Sequence, residues 1–265
     1  MKKILISTLM GLFIAYVLSC TVLYYYQEKL LFMPDKLDKG YRFSFQQPFE
    51  EINVATKQGA LLNGLLFKAD SPKGLVFYLH GNSGSVNHWG DMAKRYNNLH
   101  YDVFILDYPG FGKSEGSISS QAELFDDIQS AYNNMKKRYA EEKIVVLGYS
   151  IGSGPAAWLA ATNTPKLLIL QAPYYSMTDM LHHIYPIIPN FLLKYKFATN
   201  EYVKRCKMPV VVFHGNQDDV IYYGSSLKLK AEMKAADTLI TLNRQGHDDI
   251  TYNADYIKAI GKILH

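Results

Sequence analysis

Five short apolar runs and a sixth of the same kind constrain this chain most strongly. Their residues are continuously apolar and do not alternate with polar ones, as in strands buried on both faces of a sheet. The stretches between them are long enough to hold crossover helices. The pattern predicts an α/β fold with a mostly parallel sheet and helices on both faces, its strands at Leu75–Leu79, Val103–Leu106, Ile144–Leu147, Leu167–Leu170, Val210–Phe213 and Leu239–Leu242.

Two local patterns add elements to this sheet. Two β-like runs between Glu51 and Ala69, separated by Lys57-Gln58-Gly59, indicate a hairpin at the edge of the domain. A capping box, Ser120-Gln121-Ala122-Glu123, predicts the start of an amphipathic helix whose apolar face belongs to the core.

The N-terminal segment from Ile4 to Tyr26 carries no charge and follows Lys2 and Lys3. As a helix it would reach about 34 Å, enough to cross a hydrocarbon layer of about 30 Å. We interpret residues 1–27 as a membrane anchor or signal segment and residues 28–265 as one folded domain. The two lysines predict a single span with the domain outside the cytoplasm.

Two other fates of this segment stay open. A cleaved signal peptide would give a secreted protein, although no clear Ala-x-Ala cleavage site is visible. The stretch Val17-Leu18-Ser19-Cys20 is similar to a bacterial lipobox, so a lipoprotein attached at Cys20 is the other alternative.

Composition excludes several classes of function. The net charge of +4 is spread along the chain without a long basic block, which argues against nucleic acid as a partner. Only two cysteines occur, so neither a disulfide framework nor a cysteine-ligated zinc site is expected. We do not interpret His182-His183, in the stretch between the fourth and fifth strands, as a metal site. We therefore predict no metal and no cofactor.

Polar residues follow the apolar runs, at the strand ends where parallel sheets bind ligands. Gly148-Tyr149-Ser150-Ile151-Gly152 lies between a strand and a helix, and its glycines would relieve crowding in a sharp turn that exposes Ser150 as a nucleophile. Serine needs a base, for which His247 is the best candidate. Asp218 and Asp219 both remain candidates for the acid that orients the histidine.

Four motifs in this order resemble the α/β-hydrolase superfamily, and in particular its small serine hydrolases with an N-terminal membrane anchor, from about Tyr26 to the C-terminus. The motifs are His80-Gly81-Asn82-Ser83-Gly84, the Gly-x-Ser-x-Gly turn, His214-Gly215-Asn216-Gln217-Asp218 and Gln245-Gly246-His247. The resemblance implies an α/β-hydrolase fold and a catalytic triad of Ser150, Asp218 and His247. The backbone N–H groups of Ile151 and Asn82 are the predicted oxyanion hole.

Residues 173–209 are rich in Tyr, Leu, Ile and Pro and predict a short cap. Its apolar surface serves either helix packing or an acyl-binding wall, and we assign Tyr149, Tyr174 and Tyr175 to substrate binding. The predicted function is hydrolysis of an ester or thioester with a lipid-like acyl group, with membrane lipid as a partner. A serine peptidase of the same fold and a non-catalytic binding protein are the alternatives. The sequence leaves the oligomeric state open.

Overall fold

A computed structural model describes residues 1–265, and a sheet of eight strands lies at its centre. Two short strands form a second, separate pair. In chain order the ten strands are β1 (Met33–Pro34), β2 (Phe49–Ala55), β3 (Leu61–Phe67), β4 (Gly74–Leu79), β5 (Ser83–Gly84), β6 (Tyr101–Leu106), β7 (Ile144–Tyr149), β8 (Leu167–Gln171), β9 (Val210–Gly215) and β10 (Thr238–Leu242).

The strand order in the large sheet is β10-β9-β8-β7-β4-β6-β3-β2. All neighbours from β10 to β6 are parallel, and β3 and β2 form an antiparallel hairpin at the edge. The six predicted strands and the edge hairpin are therefore confirmed. The small sheet pairs β1 with β5, which joins the N-terminal part of the chain to the loop after β4.

The helices, in chain order, cover both faces of the sheet. They are α1 (Lys2–Leu31), α2 (Val86–Trp89), α3 (Ala93–Asn97), α4 (Gln121–Lys136), α5 (Ser153–Thr162), α6 (Met177–Ile184), α7 (Thr199–Arg205), α8 (Gly224–Glu232) and α9 (Ala254–Ile263). Short 3₁₀ turns occupy Gly90–Met92, Glu141–Lys143, Ser150–Gly152, Asn190–Leu192 and Ile250–Tyr252.

Successive side chains of each central strand enter two different hydrophobic cores. In β4, Leu75 and Phe77 pack with α4, α5 and α7, whereas Val76 and Tyr78 pack with α3 and α9 on the opposite face. Burial on both faces explains why these strands are continuously apolar. The helix predicted from the capping box is α4, and the Ser120 hydroxyl accepts the Glu123 N–H at 3.2 Å.

The N-terminal helix α1 is longer than the apolar segment that predicts it. It begins at Lys2, passes Tyr26 and ends at Leu31, so its length is about 45 Å. Most of its surface is exposed, and it is the one helix that is long and apolar enough to cross a membrane. The chain then turns directly into β1.

The predicted cap between β8 and β9 contains α6, an irregular segment and α7. Helix α7 packs against α5 through Val203, in the same core as the strands. Only α6 and the segment up to α7 therefore overhang the carboxyl end of the sheet.

Candidate active site

Ser150 lies in a sharp turn between β7 and α5. Its φ of +53° is in the left-handed region, which a serine adopts only under local constraint. A Cβ at Gly148 would clash with the Gly152 carbonyl and with Ala156, and a Cβ at Gly152 would clash with the Leu79 carbonyl. Both glycines of the motif are thus required by the close approach of the neighbouring backbone.

Three predicted residues from separate loops meet at this turn. Ser150 Oγ lies 2.9 Å from His247 Nε2, and His247 Nδ1 lies 2.8 Å from Asp218 Oδ2. The residues follow β7, β10 and β9 respectively, and all three are largely buried. In this arrangement the imidazole can accept the serine proton while the carboxylate holds its other nitrogen.

The Asp218 carboxylate is held by four donors. Its Oδ1 accepts the N–H groups of Val220 at 2.9 Å and Ile221 at 2.8 Å, and its Oδ2 accepts from His247 and from His214 Nε2 at 3.1 Å. Burial alone would raise the pKa of Asp218, but the hydrogen bonds from His214, His247 and Ile221 outweigh it. They hold the pKa well below its usual range.

The neighbouring Asp219 is exposed and does not contact the histidine. The choice between the two aspartates that the residues alone left open is thus resolved geometrically, with Asp218 facing His247. Asp218 also caps the turn that follows it, because its Oδ1 accepts two backbone N–H groups there.

His214 is a site residue whose contact with Asp218 the sequence analysis missed. It is fully buried, and its Nδ1 lies 2.6 Å from Ser226 Oγ. Its Nε2 faces the Asp218 carboxylate and the Ile221 carbonyl at 2.9 Å, two groups that only accept, so Nε2 carries the proton. The signal is present in the spacing, since His214 near the end of β9 precedes Asp218 in the following loop by four residues.

The Tyr149 side chain lies on the face of the sheet that α3 and α9 cover, and it contacts the loop that carries His247. Its hydroxyl donates to the His247 carbonyl at 2.9 Å. Its ring packs in the hydrophobic core with α3 and α9, and it lines a different cavity together with Trp89. The assignment of Tyr149 to substrate binding is not supported, because its side chain lies outside the cavity at Ser150.

The two cap tyrosines have different positions. Tyr174 lines the cavity at Ser150, accepts the Gly154 N–H at 3.1 Å and donates to the Ile151 carbonyl at 3.0 Å. Tyr175 points away and donates to Glu232 at 2.8 Å, so its assignment to substrate binding is not supported either.

The two predicted oxyanion-hole residues, Asn82 and Ile151, line the same cavity as Ser150. The Asn82 N–H has no acceptor within the chain. Ile151 lies in the first turn that leads into α5, where backbone N–H groups lack intrahelical acceptors. The Asn82 carbonyl accepts the Met33 N–H at 2.8 Å, which fixes this loop to β1.

The cavity at Ser150 has a volume of about 430 Å³, within the range typical of small-molecule sites. Three of its residues, Gln27, Asn82 and Ser150, are polar, and none is acidic or basic. The other 13 residues that line it are hydrophobic: Leu23, Leu30, Leu31, Ile151, Tyr174, Met177, Met180, Leu181, Ile184, Tyr185, Leu193, Val220 and Ile221.

Comparison with known proteins agrees with this fold. The family described as "Serine aminopeptidase, S33" matches residues 70–200. Protein bem46 of Schizosaccharomyces pombe is 32% identical over 217 residues, which cover 75% of this chain and 72% of that protein. The α/β hydrolase domain-containing protein 17C of Xenopus tropicalis is 26% identical over 242 residues, 88% of this chain and 76% of the relative.

The chain therefore belongs to the α/β-hydrolase superfamily, as the motifs predicted. Solved structures agree at the level of the fold. An esterase from Pyrococcus furiosus superimposes with a TM-score of 0.68 at 15% identity, covering 88% of this chain and 96% of the esterase. The enzyme Est1E of Butyrivibrio proteoclasticus, solved with ferulic acid, gives a TM-score of 0.63 at 19% identity, with 80% and 96% coverage.

Proposed function

We propose that this chain is a membrane-anchored serine hydrolase that cleaves carboxylic ester or thioester bonds of acyl substrates. The observation that carries the proposal is the continuous hydrogen-bonded chain from Ser150 through His247 to Asp218 beside an apolar cavity. A serine in a strained turn, a base within reach and a carboxylate behind the base are the parts of a nucleophilic hydrolase.

The reaction proceeds in two balanced halves. Ser150 Oγ attacks the acyl carbon as its proton passes to His247 Nε2, and the bond to the alcohol or thiol breaks as His247 returns that proton to the leaving group. Water then attacks the acyl-enzyme, with His247 again taking and returning a proton, and releases the acid. The N–H groups of Asn82 and Ile151 receive the negative charge that develops on the carbonyl oxygen.

The cavity favours an acyl group over a peptide. A site that recognises a free amino terminus needs an acidic side chain, and no residue that lines this cavity is acidic. A non-catalytic binding protein has no need for the hydrogen bonds that join three residues from three loops. Both alternatives therefore rank behind hydrolysis of an acyl ester or thioester.

The N-terminal helix supports a membrane location. Helix α1 has the length and composition of a membrane span, and Lys2 and Lys3 at its start favour a cytoplasmic N-terminus with the hydrolase domain outside. With this topology, protease added to spheroplasts should digest the hydrolase domain and leave a cytoplasmic marker intact. Full protection would contradict this topology. Isolation of a shorter chain that begins at an acylated Cys20 would favour a lipoprotein.

The activity is tested by labelling the full chain in detergent with a fluorophosphonate, which reacts with activated serines. We expect labelling and hydrolysis of p-nitrophenyl esters in the unaltered chain and neither in Ser150→Ala. Ser153→Ala, the same change three residues further along, is the matched control and retains both. Equal labelling of Ser150→Ala and the unaltered chain would overturn the proposal.

A further inference from the structure

One wall of the cavity at Ser150 is formed by the N-terminal helix. Leu23, Leu30 and Leu31 of α1 line it together with Leu181 and Ile184 of α6. A helix that served only as a tether would have no reason to lie against the site. The helix instead completes the enclosure, and the hydrolase domain alone would leave this side of the cavity open.

Gln27 fixes the position of α1 against the cap. It is the buried residue of α1, and its amide nitrogen donates to the carbonyls of Tyr24 at 3.1 Å and Leu192 at 3.0 Å. Its side-chain oxygen accepts the Lys194 N–H at 2.8 Å. A buried amide is stable only where all its groups are paired, so these bonds specify one register of the helix. Lys194 also pairs with Glu28 at 3.2 Å.

The end of α1 is tied to the other side of the site. After the helix, the Met33 N–H donates to the Asn82 carbonyl at 2.8 Å, and the Asp35 N–H donates to the Gly84 carbonyl at 2.9 Å. These bonds form the parallel pair of β1 and β5. The helix thus connects to the cap at Gln27 and to the predicted oxyanion loop at Met33.

The cap tip, residues 184–191, lies beside the apolar part of α1. The Tyr16 hydroxyl donates to the Ile187 carbonyl at 2.9 Å, and Tyr16 is about 15 Å along the helix from Tyr26. The cap tip carries no charge. Its large side chains Ile184, Tyr185, Ile187 and Phe191 are between 51% and 78% exposed. Such a patch is unusual on a surface that faces water.

From these contacts we infer that the cavity binds a single acyl chain that reaches Ser150 directly from the lipid layer, between α1 and the cap tip. The inference rests on the proposed function and adds the site and the route of the acyl group. If Ile4–Tyr26 lies in hydrocarbon, the cap tip beside Tyr16 does too. The groups of Gln27 are already paired, so the unpaired polar groups of the cavity lie at its Ser150 and Asn82 end. An ester group beside Ser150 and Asn82, with its acyl chain between the leucines, matches this distribution of polar and apolar groups.

The acyl site is tested with the full chain in phosphatidylcholine vesicles, by comparing p-nitrophenyl laurate with p-nitrophenyl acetate. Leu23→Trp fills the cavity from α1, and Val22→Trp is the matched control on the exposed side of the same turn. We expect Leu23→Trp to lower the laurate-to-acetate ratio of kcat/KM by about 100-fold. This is the change expected if the indole excludes about four methylenes of the laurate chain, since about two correspond to a tenfold change. Leu181→Trp fills the cavity from the cap and lowers the ratio similarly.

The outcomes separate this inference from the proposed function. Acetate is too short to need the cavity, so absence of acetate hydrolysis in the unaltered chain would overturn the proposed function and the inference with it. Acetate hydrolysis with an unchanged ratio in both Leu23→Trp and Leu181→Trp would overturn the acyl site alone.

The route from the lipid layer is tested by fluorescence. The added fluorescence of Phe191→Trp, in the cap tip, should be quenched by phosphatidylcholine whose acyl chains are brominated, whereas that of Lys137→Trp should not. Lys137 is exposed in the turn before β7, at the far end of the strands from Ser150. The emission is compared with that of the unaltered chain, which contains two tryptophans. An unquenched Phe191→Trp would mean that the substrate arrives from solution.

Discussion

Two aspartate and histidine pairs are buried at the same edge of the sheet, and they differ in how their carboxylates are satisfied. In the loop after β9, Asp218 Oδ2 lies 2.8 Å from His247 Nδ1. In the loop after β6, Asp107 Oδ1 lies 3.5 Å from His80 Nε2. Both pairs are shielded from solvent. Burial by itself therefore does not distinguish the pair beside Ser150 from the other.

The number of donors does distinguish them. Asp218 accepts from four groups, whereas Asp107 accepts only the Val86 N–H at 2.7 Å, and its Oδ2 has no partner. Burial raises the pKa of Asp107, and His80 and the Val86 N–H offset this only in part. The pKa of Asp218 is shifted in the opposite direction. A buried carboxylate that stays charged beside an imidazole thus needs several donors.

The largest effect is expected at the histidine of the satisfied pair. His247→Ala removes the proposed base of Ser150 and should reduce kcat for ester hydrolysis on the order of a million-fold, since the members of a triad act as a unit. The exposed His88 is the control, and His88→Ala should keep its activity in the same assay. Substantial hydrolysis by His247→Ala would mean that another group activates the serine.

The next effect contrasts the aspartates directly. Asp218→Asn should lower kcat about 10⁴-fold, because an amide cannot hold the histidine in the required tautomer. Asp107→Asn and Asp219→Asn should retain most of the activity, since neither side chain contacts His247. A loss in Asp219→Asn as large as in Asp218→Asn would show that the loop after β9 is arranged differently in solution.

A smaller effect is expected at His214, which acts as a positioning residue through Asp218. His214→Met removes one donor from the carboxylate and should lower kcat about tenfold with KM unchanged, the size expected for one hydrogen bond to a charged group. His214→Gln keeps an N–H donor near the position of Nε2 and should restore part of the rate. An effect on KM, or no rescue by glutamine, would point to a general loss of packing.

The smallest effect concerns stability, and its sign differs between the two aspartates. Because the pKa of Asp107 is raised in the folded chain, its contribution to stability is lost as pH rises from about 4 through the folded value. Asp107→Asn should therefore be more stable, relative to the unaltered chain, at pH 7 than at pH 4. The depressed pKa of Asp218 has the reverse sign. Its stabilising contribution is present above about pH 4 and is lost as pH falls through the folded value.

Thermal unfolding of the full chain in one detergent at both pH values measures these differences. Asp218→Asn should be most destabilised relative to the unaltered chain at pH 7. If the relative stabilities of Asp107→Asn and Asp218→Asn changed in the same direction between pH 4 and pH 7, the opposite pKa shifts of the two carboxylates would be contradicted.

The strands and the three meeting residues could be predicted because their signals are local. Continuous apolar runs reflect burial on both faces, and the residues directly after parallel strands share one edge of the sheet. The position of Tyr149 outside the cavity at Ser150 has a local reason as well. Tyr149 is the last residue of β7, and side chains alternate along a strand, so the residue before Ser150 faces the opposite side.

The role of α1 could not be predicted, because it depends on distant contacts. An apolar N-terminal segment has the same composition whether it lies alone in a bilayer or against a cavity. Gln27 interrupts the apolar pattern, but its partners Leu192 and Lys194 lie more than 160 residues away in sequence. Without the fold, Gln27 reads as the first polar residue outside the membrane.

Trapping the acyl-enzyme tests whether Ser150 is a nucleophile activated by His247 and Asp218. The full chain is mixed with excess p-nitrophenyl ester, quenched in acid and analysed by intact and peptide mass spectrometry. We expect a gain of one acyl group, mapped to Ser150 and absent from Ser150→Ala. Sustained turnover with no adduct, or with an adduct on another residue, would contradict it.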